Sequence, residues 1–425
     1  MSYLNRLLRR LLLRVALLAL AALAGAAVVI AWAPTISPIT PPDRASFTTV
    51  AISRGATLAA LGDCAVCHTA PDGTPYAGGR AIPTPFGTVF ATNITPDPAT
   101  GIGNWSLAAF QRAMRDGIER EGRHLYPVLP YPHFTLATDD DIAAMYAFLM
   151  SRGPVVQATP ANELAFPFRY RPLIAGWDLL FLRPGPWRPD ASKDAEWNRG
   201  AYLVDAISHC GACHTPHNAL GAEENTLALG GGQAEGWYAP SLRTAVSQPW
   251  SVDALANYLR TGLDKGHGVA AGPMAPVTHQ LARVPDTDVH AIAVYIASLM
   301  PPAPANPAPA PRPRPVADPN AMAMFDGACG ACHGADAPMT RSGAPSLALS
   351  TAVHAPTARN VVDLILYGLP WREGHAGPYM PAFSGALTDA QVATLAAYVR
   401  ARYSDQPPWR DIETSIRVAK RQGSG

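Results

Sequence analysis

Cys210-Gly211-Ala212-Cys213-His214 is a Cys-x-x-Cys-His motif, and it recurs as Cys64-Ala65-Val66-Cys67-His68 and as Cys329-Gly330-Ala331-Cys332-His333. Two residues between the cysteines make about one helical turn, so both sulfurs and the following imidazole can meet one flat ligand. That is the spacing of c-type haem attachment. Cys64, Cys67, Cys210, Cys213, Cys329 and Cys332 would form thioethers to the haem vinyl groups, and His68, His214 and His333 would be the proximal iron ligands. The chain has six cysteines, and the three motifs use all of them. A disulfide framework suits short secreted domains, not clustered pairs in a chain of this length. A thioredoxin-like pair gives no reason for a following histidine in every copy. A zinc site would space its pairs by ~15–20 residues, and these lie more than a hundred apart.

The 425 residues suggest about three domains at ~150 each, one per motif. A net charge of +1 gives nothing to attract nucleic acid or another polyanion. Charged residues are 15% of the chain against ~25% in ordinary soluble domains, which points to contact with a membrane or partner subunits. The 43 prolines, about twice the usual share, predict a loop-rich chain.

The first segment carries Arg6, Arg9, Arg10 and Arg14 before an apolar run from Val15 to Trp32. As a helix this run approaches the ~30 Å hydrocarbon core. Ala31-Trp32-Ala33 has the form of a signal cleavage site, but Pro34 disfavours the cut, so the expectation is an uncleaved anchor with its basic end in the cytoplasm. Each later unit predicts an opening helix (Ile52 to Gly62, Glu196 to Ser208, Asn320 to Ala328). A Cys-x-x-Cys-His turn follows, then a middle helix starting near Ser106, Ser251 or Asn360, all good caps. The closing helices are Asp139 to Ser151, Asp286 to Leu299 and Thr388 to Tyr403. Arg54-Gly55-Ala56 matches Arg199-Gly200-Ala201. Phe148, Tyr295 and Tyr398 match in the closing helices and are expected to pack on the opening ones. The run Leu173 to Leu182 in the connector is too short to span a bilayer. Burial between units is its expected fate, and lying on a membrane surface is the alternative.

A six-coordinate haem iron needs a distal ligand. Met274, in Gly272-Pro273-Met274-Ala275-Pro276, and Met380, in Pro378-Tyr379-Met380-Pro381, follow His214 and His333 in proline-stiffened loops before the closing helices. At the matching distance from His68 stands Leu129, which cannot bind iron. His133, four residues on, is the expected sixth ligand of the first haem; an open iron, His124 or a helix methionine are the alternatives.

Thr92-Asn93-Ile94-Thr95-Pro96-Asp97, Gly101-Ile102-Gly103-Asn104-Trp105 and His124-Leu125-Tyr126-Pro127 make the chain resemble the triheme cytochrome c subunits of bacterial membrane-bound dehydrogenases. Leu129, the run from His209 to Pro216 and Glu235-Gly236-Trp237 look closer to the molybdenum-hydroxylase group, which acts on aldehydes or N-heteroaromatics such as isoquinoline and nicotinate. The resemblance implies an all-α fold of three class I cytochrome c domains in tandem behind an N-terminal transmembrane anchor. The expected divisions are an anchor at 1–33, haem domains at 34–159, 195–300 and 320–403, a connector at 160–194, a Pro-rich linker at 301–319 and a tail at 404–425. It implies three covalently bound haem c groups. The implied partners are a large catalytic dehydrogenase subunit, a small iron–sulfur subunit if the type is molybdenum, and ubiquinone or a terminal oxidase as acceptor. The haem domains would lie on the periplasmic side of the cytoplasmic membrane. No substrate-oxidising constellation occurs in the chain. The alternatives are a cytochrome subunit of a quinoprotein or flavoprotein alcohol or sugar dehydrogenase, a free-standing carrier, or a multihaem peroxidase using an open first haem.

Overall fold

Ser106 and Ser251 each accept a hydrogen bond from the backbone N–H three residues on, starting the helices Leu107–Asp116 and Val252–Thr261. Both helices end at left-handed glycines, Gly117 and Gly262, where only a residue without a Cβ turns cheaply. The computed structural model describes residues 12–15, 32–244, 249–301, 313–334, 337–341, 345–370 and 379–423. The chain divides into two compact units, one of 1–56 with 67–187 and one of 57–66 with 188–425.

The first unit is organised by the closing helix Asp139–Met150 crossing the opening helix Thr49–Leu61. The crossing point is Gly55, where a Cβ would come within 1.9 Å of Ala144 O. Arg54 fixes the same crossing through Asp141, at 2.7 Å. The second unit repeats the device. The helix Ala195–Tyr202, continued by a wider turn over Leu203–Ile207, crosses Asp286–Leu299 at Gly200. There Arg199 meets Asp288 at 2.9 Å, and Trp197 stands edge-on to Tyr295 with centroids 5.0 Å apart. The matched Arg-Gly-Ala thus marks helix crossings, and Tyr295 packs on its opening helix as expected. Tyr398 does the same in the third helical layer, 5.3 Å from Phe325 of Pro319–Ala328.

That layer has its own core, built from Phe325, Val362, Leu366, Leu395 and Tyr398. Residues 404–423 belong to it. Its helix Ile412–Gln422 buries Ile412, Ile416 and Ala419, and the Trp409 indole N–H donates to Ala355 O at 2.8 Å. Asn360 is not a cap. The helix Arg359–Tyr367 already starts one residue earlier, and the Asn360 amide instead pairs with both backbone groups of Tyr238, at 2.8 and 2.9 Å.

The all-α expectation is overturned by seven strands among the described residues. β1 (Ala81–Thr84), β2 (Gly87–Phe90) and β3 (Glu163–Leu164) form one antiparallel sheet. β4 (Gly232–Ala234) pairs with β5 (Trp237–Ala239), and β6 (Leu263–Asp264) with β7 (Gly268–Val269). Strands of two to four residues are too short to display the alternation that betrays a strand in sequence. The transmembrane anchor is corrected as well: among the described residues no helix is long and apolar enough to cross a membrane. Residues 1–11 and 16–31, on which that expectation fell, and 302–312 of the expected Pro-rich linker lie outside the described residues. The connector forms the helix Pro172–Phe181, in which only Ala175 is buried.

Candidate haem sites

The first cysteine pair lies on the helical turn Cys64–Cys67, and the second and third pairs lead into the turns Gly211–His214 and Gly330–His333. None of the six cysteines is in a disulfide. Burial, reinforced by Asp205, pushes the Cys210 thiol up to about 12, and burial pushes Cys329 up to about 11. Thiols so high are protonated at neutral pH and serve poorly as nucleophilic or metal-binding thiolates.

Two of the three motif histidines are oriented by backbone carbonyls. His68 donates its Nδ1–H to Thr92 O at 2.6 Å, and His214 donates Nδ1–H to Pro240 O at 2.7 Å. A carbonyl can only accept, so each ring carries its proton on Nδ1 and keeps a lone pair on Nε2, the atom that binds a metal. Burial holds His68, His214 and His333 below the usual imidazole range, hence neutral at pH 7. Short hairpins supply the carbonyls: Thr92 follows β2 and Pro240 follows β5. A left-handed glycine closes each clamp from the other side, Gly78 donating to His68 O and Gly231 to His214 O, both at 2.8 Å. His333 stands beside Pro345, Ser346 and Leu347.

Asn93, Thr95 and Asp97 are buried and tie the chain around the Thr92 carbonyl. Asn93 Oδ1 accepts from the Thr95 N–H at 2.9 Å, and Asp97 accepts from the Thr100 N–H at 2.7 Å. A Cβ at Gly101 or Gly103 would come within 2.2 Å of Thr95 O or Pro96 O. This signature is therefore a backbone knot that aims one carbonyl at His68.

Of the expected distal ligands, Met274 opens the helix Met274–Leu281. Its loop is held by Trp237, whose ring would lie 2.4 Å from a Cβ at Gly272. Met380 is locked in an antiparallel bridge with Leu369, through hydrogen bonds of 2.9 and 3.1 Å. Leu129 is half-buried just before the short helix Tyr131–Phe134, which carries His133. His124 is buried. Its Nδ1 donates to Asp178 Oδ2 at 3.0 Å, and its Nε2 has no hydrogen-bond partner. Around the first two motifs, Asp63 and His209 precede the first cysteines in the left-handed conformation, with φ of 50° and 39°. The turns touch: His209 Nε2 lies 3.2 Å from Gly62 O.

Sequence reasoning missed the carbonyl clamps, since a backbone acceptor can come from any residue. The one available signal was glycine clustering at Gly78-Gly79 and Gly230-Gly231-Gly232.

A match to the family described as Cytochrome c covers residues 52–153, and one to Cytochrome C oxidase, cbb3-type, subunit III covers 318–399. The fructose dehydrogenase cytochrome subunit of Gluconobacter japonicus is 37% identical over 399 residues, 86% of this chain and 82% of that one. The chain belongs to the cytochrome c subunits of dehydrogenases. Another such cytochrome c subunit, of the Pantoea cypripedii gluconate 2-dehydrogenase, is 34% identical over 381 residues, covering 83% of this chain and 86% of the relative. A nicotinate dehydrogenase subunit of Pseudomonas putida is 48% identical over 399 residues. That alignment takes 92% of this cytochrome c subunit, which spans about a third (34%) of the relative's length. Cytochrome c domains imply covalently bound haem c, and His68 and His214, each with Nδ1 held by a carbonyl beside a cysteine pair, fit that group.

Proposed function

We propose that the chain carries three haem c groups and relays single electrons from a catalytic dehydrogenase subunit, of the molybdenum type with a small iron–sulfur subunit, to ubiquinone or the respiratory chain. The observation that carries the reading is that every cysteine sits in one of three Cys-x-x-Cys-His turns, two of them with the same carbonyl clamp on the histidine. When bound, haem supplies a metal that changes by one electron without moving atoms far. The chain would do the rest: the cysteine pairs would tether it, His68, His214 and His333 would ligate the iron, and Met274 and Met380 would offer thioethers from stiffened backbone. The 48% identity to a nicotinate dehydrogenase subunit, against 37% and 34% to the fructose and gluconate subunits, supports an N-heteroaromatic partner. In this reading the haem-bearing part lies on the outer face of the cytoplasmic membrane, where c-type haem is attached.

Intact mass and a haem assay should give three haems per chain, falling to two in Cys210→Ala/Cys213→Ala. Two haems in the unaltered chain would refute the count. Molybdenum in the co-purified complex supports the partner type, and a flavin or quinone cofactor there would replace it.

His133 is assigned the sixth position at the first haem. Electron paramagnetic resonance of the oxidised protein should show one bis-imidazole low-spin signal that disappears in His133→Ala. Disappearance in His124→Ala instead would move the assignment to the buried imidazole held by Asp178.

A further inference from the structure

The helix Pro172–Phe181 is built inside out. Its one charged residue, Asp178, turns inward, taking a hydrogen bond from His124 Nδ1 at 3.0 Å and another from the Tyr131 hydroxyl at 2.6 Å. Trp177 leans on Tyr131, with centroids 6.3 Å apart. Arg171 reaches back to His124 O at 2.9 Å. The outward face is apolar: Leu173, Leu179 and Leu180 are 51%, 66% and 58% exposed, and a Cβ at Gly176 between them would meet nothing within 4 Å. Phe166 and Tyr170, 78% and 61% exposed, extend the surface beyond the helix N-terminus. A helix that faces water places its charges outward and its leucines inward; this one is pinned in the opposite sense.

We propose that this face docks on a phospholipid surface carrying anionic headgroups. The charges around it choose the occupant. Arg169 and Arg183 are exposed at the two ends, and from Ala165 to Arg183 the sole carboxylate is Asp178, which points the other way. Leucines in the middle, aromatic rings at the rim and arginines at both ends match the acyl chains, interface and phosphates of a bilayer in that order.

The test uses the full haem-loaded chain with vesicles of phosphatidylethanolamine and phosphatidylglycerol and a photoreactive probe dissolved in the acyl region. Because other segments can also hold the chain on vesicles, the readout is the site of labelling, mapped by peptide mass spectrometry. The peptide spanning Leu173 to Phe181 should be labelled, and Leu179→Glu/Leu180→Glu should cut that labelling at least about fivefold with an unchanged haem spectrum. Labelling that survives the double variant, or is equal without vesicles, overturns the proposal. So does protection of this peptide from a water-soluble probe only in the co-purified dehydrogenase complex, which would give the face to a protein partner. Because the haem spectrum and content are read in the same sample, loss of the relay reading shows separately.

Discussion

Gly200→Ala is expected to break the second haem site. The added methyl would sit 1.9 Å from Ala291 O and 2.9 Å from Tyr295 Cβ, and a backbone carbonyl inside a helix has nowhere to go. The two helices must part by about an ångström or more, which loosens the Arg199–Asp288 pair and the Trp197–Tyr295 contact together. Overpacking of this kind costs ~3 kcal/mol or more. It should appear as a lower thermal midpoint and as loss of haem from this site. Gly176→Ala is the control, since nothing lies within 4 Å of its Cβ. Exposed on a helix, it should gain up to about 1 kcal/mol. If both variants behave alike, the close crossing is not what Gly200 serves.

Met274→His should lower one reduction potential by on the order of 0.2 V, within the ~0.8 V that axial ligands span. A thioether is a soft, neutral donor that favours ferrous iron, whereas an imidazole donates more strongly to ferric iron. The substitution should succeed structurally because Met274 is half-buried at the first turn of its helix, with the loop before it fixed by the Trp237–Gly272 contact. Potentiometric titration followed by visible absorption reads the shift, and the haem of the third motif should keep its potential. An unchanged potential and spectrum would show that the sulfur is not on iron.

Much of the helical plan was legible. Ser106 and Ser251 announce their helices through side chains that satisfy otherwise free N–H groups, and repeated Arg-Gly-Ala marks two crossings. Asn360 misled because its amide, suited to capping, is spent on the backbone of Tyr238 far away in sequence. The hairpins were invisible for a similar reason. What matters in them is the direction of the Thr92 and Pro240 carbonyls, and a carbonyl is common to all residues. Nothing in the leucine-rich run marks Asp178 as turning inward. Its inward turn depends on His124 and Tyr131, about fifty residues earlier. The cysteine motifs were readable because covalent attachment demands particular side chains at fixed spacing, which backbone contacts never do.

The contact between His209 Nε2 and Gly62 O joins the turns that lead into Cys64 and Cys210, and Asp63 is among the charges felt at Cys210. Haems tethered at those two turns, as proposed, would not titrate alone. Oxidising one adds positive charge near the other and makes its oxidation harder. The steps seen in a titration then belong to the couple as a whole. A value assigned to either member describes it in the company of a neighbour already oxidised or still reduced, and removing one centre would change the number measured for the other.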